Sequence, residues 1–298
     1  MDLVDTNYPH LLPAVRMLAD APDDVRIRRI RTDRWIGYAR AEAALEQMED
    51  LLTFPKRTRM PNLLLVGPSN NGKTMIVEKF RRSHLGPDST RQAVSVPILK
   101  VQMPSSPDER SFFTGILSAL GAADRINDRL AMKQDLAVKL MRASDLRVLI
   151  IDEVHNLLSG SHAQQRRFLN LLRWLGNELQ IPLIAVGTAE ALRAVQSDEQ
   201  LANRFTPFTL KPWESGAEYT RLLNTLEALL PLRQPSGLAD SDLAKRILMA
   251  SEGILGEIVT MVVTSAVAAI RQGFESIRSE VLESITFIPP SERRHARF

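Results

Sequence analysis

The sequence predicts an α/β protein in which a parallel sheet flanked by helices is followed by an all-helical segment and preceded by a helical extension. Three observations carry this. Short aliphatic runs alternate with amphipathic stretches between about residues 61 and 212, the pattern of strands joined by right-handed crossovers. The first run, Leu63-Leu64-Leu65-Val66, leads directly into the loop G-P-S-N-N-G-K-T, Gly67 to Thr74. From Trp213 onward the strand signal stops and only helical periodicity continues.

The elements follow in order. Arg40 to Leu52 is rich in helix formers, with Ala41, Ala44, Leu45, Met48 and Leu52 at helical spacing, and Thr53-Phe54-Pro55 stops it. A helix opens at Lys73, and a second strand is expected over Val94 to Val101. The loop Met103 to Asp108 leads to a helix from Glu109 that carries Phe112, Phe113, Ile116, Leu117 and Leu120. The polar stretch Gly121 to Lys133 has the character of an insert. Val148 to Ile151 suits a strand buried on both faces. A helix follows with Phe168, Leu171, Leu172, Leu175 and Leu179 on one face, and then a third apolar run, Ile181 to Thr188. Glu218 to Leu230, Asp240 to Ala250 and Gly256 to Ile270 read as helices of a lid, broken at Pro231 to Gly237 and Gly253 to Gly256. The expected division is 1–60 extension, 61–212 α/β core, 213–286 helical lid, and 287–298 a basic tail that reads as mobile from Pro289.

Composition is that of a globular protein, with 44% hydrophobic and 24% charged residues in a chain of 298. There is no cysteine, which excludes disulfides and thiolate zinc sites and fits a reducing cytoplasm. The acidic start, Met1-Asp2-Leu3-Val4-Asp5, lacks a signal peptide's basic and apolar regions, and no apolar run approaches the ~18 residues of a membrane span. Net charge is +3, but cations cluster. Arg26, Arg28, Arg29, Arg31 and Arg34 crowd one stretch, Lys56, Arg57 and Arg59 precede the first strand, and Arg293, Arg294 and Arg297 end the chain. Such clusters suit either a solvated surface or a phosphate backbone.

Gly67 to Thr74 matches G-x-x-x-x-G-K-[ST] between a strand and a helix, the setting of a phosphate loop. Gly67 and Gly72 let the backbone turn its N–H groups inward, with Pro68, Ser69, Asn70 and Asn71 between them and Met75 just beyond. The helix N-terminus adds partial positive charge. Lys73 can reach the β- and γ-phosphates, and the Thr74 hydroxyl can ligate Mg²⁺. Asp152 and Glu153, at the carboxyl end of the Val148 strand, supply the other half. Asp152 would hold Mg²⁺ and Glu153 would polarise the attacking water. The adjacent Glu, and the lack of an N-K-x-D guanine-reading motif, favour ATP over GTP.

Thr188 ends the third apolar run, where it can contact the γ-phosphate or its water, cap the next helix, or do both. Arg204, in Leu201-Ala202-Asn203-Arg204-Phe205, stands at the rim of the expected sheet. It is a candidate finger toward a phosphate bound by a neighbouring subunit, or a surface arginine paired with an acid. The five histidines show no metal-ligand spacing; His155 lies nearest the acids and suits a structural or surface role better than a phosphate contact.

Gly67–Thr74, Val148–Glu153, Thr188 and Arg204 occur in the order of the AAA+ superfamily. Within it, the phrase Leu149-Ile150-Ile151-Asp152-Glu153-Val154-His155-Asn156-Leu157-Leu158 and the run Asn203-Arg204-Phe205 resemble the TniB family of bacterial transposition proteins, which are similar to the TnsC ATPases. The resemblance implies an AAA+ P-loop core with a helical lid, and a bacterial, cytoplasmic ATPase that uses ATP and Mg²⁺. It implies head-to-tail assembly into a helical filament or ring on double-stranded DNA without strong sequence preference. It also implies a transposase and a target-selection protein as partners. Arg204 of one copy would then complete the next copy's site, with Glu153 and Thr188 serving catalysis. Pore-facing loops of the core would supply the DNA contacts, with Lys100, Arg110, Arg129 and Lys133 as candidates. The turn Ser251 to Glu257 lacks the arginine by which many AAA+ lids touch the nucleotide, which implies slow turnover. A helicase loader or replication initiator is the alternative, and a protein-only signalling ATPase a third. The stretch 287–298 is too short for an appended winged-helix reader.

Overall fold

The computed structural model describes residues 8–84, 95–123, 128–196 and 198–295, so Val94, part of the expected insert, Arg297 and the first residues of the chain lie outside it. The chain divides into two compact units, residues 40–211 and residues 1–39 with 212–298.

Residues 40–211 form the α/β unit. Helix α3 (Ala39–Thr53) precedes β1 (Asn62–Val66), and α4 (Lys73–Ser83) follows it. Next come β2 (Ile98–Gln102), α5 (Glu109–Ala119), α6 (Leu130–Ala143) and β3 (Val148–Asp152). A 3-10 turn (Val154–Ser159) leads to α7 (His162–Leu179), β4 (Leu183–Gly187), α8 (Ala189–Gln196), α9 (Glu199–Ala202) and β5 (Phe205–Thr209). All pairings are parallel, in the order β2-β3-β4-β1-β5. The carboxyl ends of the strands therefore share one edge, the ligand edge of open α/β sheets.

Every residue of β1, β3 and β4 is buried, as their unbroken aliphatic runs require. Strand β5 was not legible as a strand. It reads Phe-Thr-Pro-Phe-Thr, and Pro207 is tolerated because β5 is an edge strand paired only with β1. The α5 aromatics Phe112 and Phe113 are buried beside Phe168 of α7, whose ring stacks edge-on to Phe112 at 5.1 Å. Ser161 and Gln164 close a capping box that starts α7. Helix α6 begins inside the stretch expected to be an insert and packs Ala137, Val138 and Met141 into the core.

The second unit holds α1 (Pro13–Ala19), α2 (Asp23–Ile30), α10 (Ala217–Ala228), α11 (Ser241–Ser251), α12 (Leu255–Arg271), α13 (Ser279–Ser284) and α14 (Pro290–His295). Its core joins Ile30 of α2 to Leu222 and Leu223 of α10 and to the apolar stripe Ile258, Val262, Ala266 and Ile270 of α12. The segment expected to be mobile from Pro289 forms α14, tied down where Arg293 pairs with Glu257 and the Ser291 N–H donates to Glu252 at 2.8 Å. The arginine run near the N-terminus is not one solvated face. The Arg26 side chain is 0% exposed and bonds Glu275, Asp23 and the Pro231 carbonyl, while Arg34 donates to the Leu229 carbonyl.

Candidate nucleotide site

The loop after β1 is held open by sterics before any ligand is considered. A side chain at Gly67 would place its Cβ 2.7 Å from the Leu210 carbonyl oxygen, so only glycine fits there. Gly72 has φ 82°, a left-handed conformation that starts α4 without strain. Asn71 is 3% exposed and donates its amide to the Leu210 and Lys211 carbonyls at 3.0 and 3.2 Å. Its side chain clamps the loop to the end of β5, while Ser69 to Met75 line a cavity of about 200 Å³ with Glu153, His155 and Thr188.

Lys73 folds over this loop, donating to the carbonyls of Gly67 and Pro68 at 3.0 and 2.6 Å. Burial lowers its pKa, and the charges of Glu153 and Asp152 offset part of that shift. The ammonium is thus parked on two backbone oxygens of the loop. Thr74 Oγ1 lies 3.5 Å from Asp152 Oδ2, bringing the two expected Mg²⁺ ligands together from α4 and β3. A hydroxyl and a carboxylate beside a phosphate loop fit Mg²⁺, which takes one or two protein oxygens and completes its shell with phosphates and water.

Glu153 has φ 59°, a left-handed conformation unusual for a non-glycine residue and typical of functional sites. It places the carboxylate over the cavity, where Oε2 is 3.2 Å from His155 Nε2. The other ring nitrogen of His155 is buried with no hydrogen-bond partner among the described residues. Thr188 stands just before α8, lines the same cavity and donates its hydroxyl to Glu190 at 3.0 Å. The structure thus gathers residues 69–75, Glu153 and Thr188 around one cavity, with Gly67, Pro68 and Asp152 directly behind it.

Arg204 is not there. It directly precedes β5, and Asn62 at the start of β1 pairs with Phe205, so Arg204 lies at the amino edge of the sheet. Its side chain donates to the Asn177 amide oxygen at 2.8 Å rather than to an acid. Burial, together with the nearby charges of Arg59 and Arg173, lowers its pKa.

Two of the four DNA candidates need correction. Lys100 is not a surface cation: it turns inward to Asp152 Oδ2 at 3.1 Å and Glu78 Oε1 at 3.4 Å. Lys133 is 3% exposed and donates to Thr114 at 3.0 Å. Arg110 and Arg129 are exposed at the starts of α5 and α6. Glu78 is not among the residues the sequence singles out, and Lys100 is expected only as a DNA contact, because their meeting beside Asp152 depends on how α4 packs on the β2–β3 pair. Burial would raise the Glu78 carboxyl, but the hydrogen bond and charge of Arg81, with Lys100, outweigh this and hold it below its ordinary value.

A parallel sheet with a phosphate loop and paired acids at its carboxyl edge is the architecture of P-loop nucleotide-binding folds. Solved structures agree. The ORC2 protein of Aeropyrum pernix in its ADPNP–ADP complexes is 16% identical with a TM-score of 0.60, covering 86% of this chain and 70% of that one. The Aeropyrum pernix ORC1 protein in complex with DNA is 18% identical with a TM-score of 0.60, covering 87% and 68%. Cdc6p from Pyrobaculum aerophilum is 17% identical with a TM-score of 0.56, covering 85% and 68%. No curated protein matches the chain. Residues 26–215 match the family described as bacterial TniB protein, and the chain belongs to that family. Among the described residues, no helix is long and apolar enough to cross a membrane.

Proposed function

We propose that this TniB protein is an ATP-dependent DNA-binding regulator of transposition that assembles head to tail on duplex DNA and recruits a transposase. The observation that carries assembly is the distance between the two halves of the catalytic set. Gly67 follows the last residue of β1, and Arg204 precedes the first residue of β5, its register partner. Five parallel residues at about 3.3 Å each separate them along the strand, beyond the reach of one side chain. If Arg204 meets a γ-phosphate, that phosphate belongs to another copy. An arginine in that role contributes about 10³–10⁵ in rate. A contact between unlike surfaces that does not close yields a filament.

Within one copy, Lys73 would leave the Gly67 and Pro68 carbonyls for the β- and γ-phosphates, and Glu153 would take the proton of the attacking water. Thr74 and Asp152 would hold Mg²⁺, which would supply charge neutralisation at the phosphates. Thr188 would orient the water or the γ-phosphate. Arg110 and Arg129 are the remaining candidates for backbone contact with DNA, which would be sequence-tolerant and salt-dependent. Hydrolysis would remove the γ-phosphate link between copies and loosen the assembly. The turn after α11, with no arginine from Ser251 to Glu257, fits slow turnover in which ATP serves as an assembly signal. The likeness to ORC and Cdc6 structures supports the alternative, a loader or initiator. Membership of a transposition family favours the first reading.

Electron microscopy of the protein with AMPPNP and duplexes of unrelated sequence tests this. Filaments on every duplex are expected, and none with Lys73→Ala. Closed single rings would favour the alternative, and no binding would exclude both. Glu153→Gln should still bind ATP, lose about 10²–10⁴ in hydrolysis, and stay on DNA longer. Release as fast as the parent would refute the coupling.

A further inference from the structure

Lys100 is a residue that the phosphate loop and paired acids do not require. On β2 it is paired with Ile150, so its side chain shares a face with Asp152, two residues further along β3. Thr74 and Glu78, four apart on α4, meet that face through Asp152 and Lys100 respectively. The side chains of Lys100, Asp152 and Glu78 are 19%, 8% and 24% exposed, so the ammonium is largely withdrawn from solvent between two carboxylates. Its Nζ is 3.1 Å from the Asp152 oxygen that faces Thr74, and 3.4 Å from Glu78. It therefore neutralises the same oxygen that Mg²⁺ would use. A lysine ammonium is a point charge on a flexible stem and can change acceptors with a small rotation. Glu78 already lies within reach as the second seat.

The geometry points to Lys100 as a tethered cation that holds the Asp152 carboxylate in the absence of metal and cedes it to Mg²⁺ by moving to Glu78. Lys100 thereby sets how strongly nucleotide binding depends on Mg²⁺. It is a positioning residue, not a catalytic one. The inference rests on the reading of residues 67–74 and Asp152 as a Mg²⁺–nucleotide site. Without metal, Lys100 cancels a negative charge that would repel the phosphates. With metal, it is a competitor that must first be displaced. Both effects compress the difference between the two conditions.

Calorimetric titration of the full chain with AMPPNP, in excess Mg²⁺ and in EDTA, reads this directly. The quantity is the ratio of the EDTA Kd to the Mg²⁺ Kd. Lys100→Met should raise that ratio about tenfold, the size of effect expected from losing one opposite charge within ~4–6 Å. Glu78→Gln, which keeps the side chain's size but removes the second seat, should lower the ratio below the parent's. An unchanged ratio in Lys100→Met overturns the inference. Should that variant fail to fold, a Glu78→Gln ratio equal to or above the parent's overturns it. A parent that binds AMPPNP with a Mg²⁺ dependence, beside variants that leave it unmoved, sinks only this inference. A parent that ignores AMPPNP in both conditions sinks the nucleotide site with it.

Discussion

Two buried clusters of opposite charge, one in each unit, solve the same problem differently. In the helical unit, Arg26 is 0% exposed and its guanidinium grips Glu275 with both terminal nitrogens. Its remaining donors go to Asp23 at 3.2 Å and the Pro231 carbonyl at 3.0 Å, and Arg233 holds Glu275 from the other side at 3.1 Å. In the α/β unit, Lys100 divides one ammonium between Asp152 and Glu78. A planar fork bonded to two acids and a carbonyl at once is built to stay, and a point charge shared by two acids is built to move. The difference teaches where the molecule needs permanence, which is the joint between α2 and the loop after α12, and where it needs exchange, which is beside the phosphate loop.

The sharpest way to break this contrast is Arg26→Met. Removing one partner of a buried pair leaves an uncompensated charge and costs about 3–5 kcal/mol, here toward the lower figure because Arg233 still faces Glu275. Denaturant unfolding followed by circular dichroism would register the loss in the transition of the helical unit. A change under about 1 kcal/mol would mean that the pair is no stronger than a surface salt bridge, and the contrast would fail.

Neither cluster could be read from the sequence, and the reason is the same. Arg26 stands in a run with Arg28, Arg29, Arg31 and Arg34, and what singles it out is Glu275, which lies 249 positions away. Lys100 looked like a surface cation because nothing local reveals that β2 pairs with β3. The phosphate loop, Asp152 and Glu153 were legible because each residue type does one job at a fixed local spacing. The helices α7 and α12 were legible because their apolar stripes are long and regular. The short strand β5 was not, since five residues with a central proline carry neither alternation nor an aliphatic run. The placement of Arg204 at the amino edge depends on β5, and its neighbours come from two distant segments, Arg59 before β1 and Arg173 with Asn177 on α7.

A smaller effect tests the helical cluster by pH. Burial would raise the Glu275 carboxyl, but the hydrogen bond and charge of Arg26, with Arg233, outweigh this and hold it below its ordinary value of 4.5. A depressed folded-state pKa means that the unfolded chain takes up the proton first. The stabilisation is therefore complete above the ordinary glutamate range and drains away as pH falls through the lower, folded-state value. Unfolding measured from pH 7 down to about pH 3 should show this acid limb in the parent as a fraction of the Arg26→Met loss. Arg26→Met should flatten it. An equally steep limb in the variant would assign the acid sensitivity to other carboxylates.

The smallest expected effect sharpens the comparison most. Lys100→Met should cost about 1 kcal/mol of stability without metal, since Asp152 then loses its nearest counter-charge and keeps only the charge of Lys73, at a partly solvated edge. Mg²⁺ with AMPPNP would supply that counter-charge, so the gap between parent and variant should close when both are saturated. Binding stabilises either protein by mass action, and the reading lies in the difference between them, not in the shift of each. The Arg26→Met gap should stay open under the same conditions, because nothing that binds at the phosphate loop replaces a guanidinium between α2 and Glu275. If both gaps closed together, or neither did, the two clusters would not divide the labour of holding and exchanging charge.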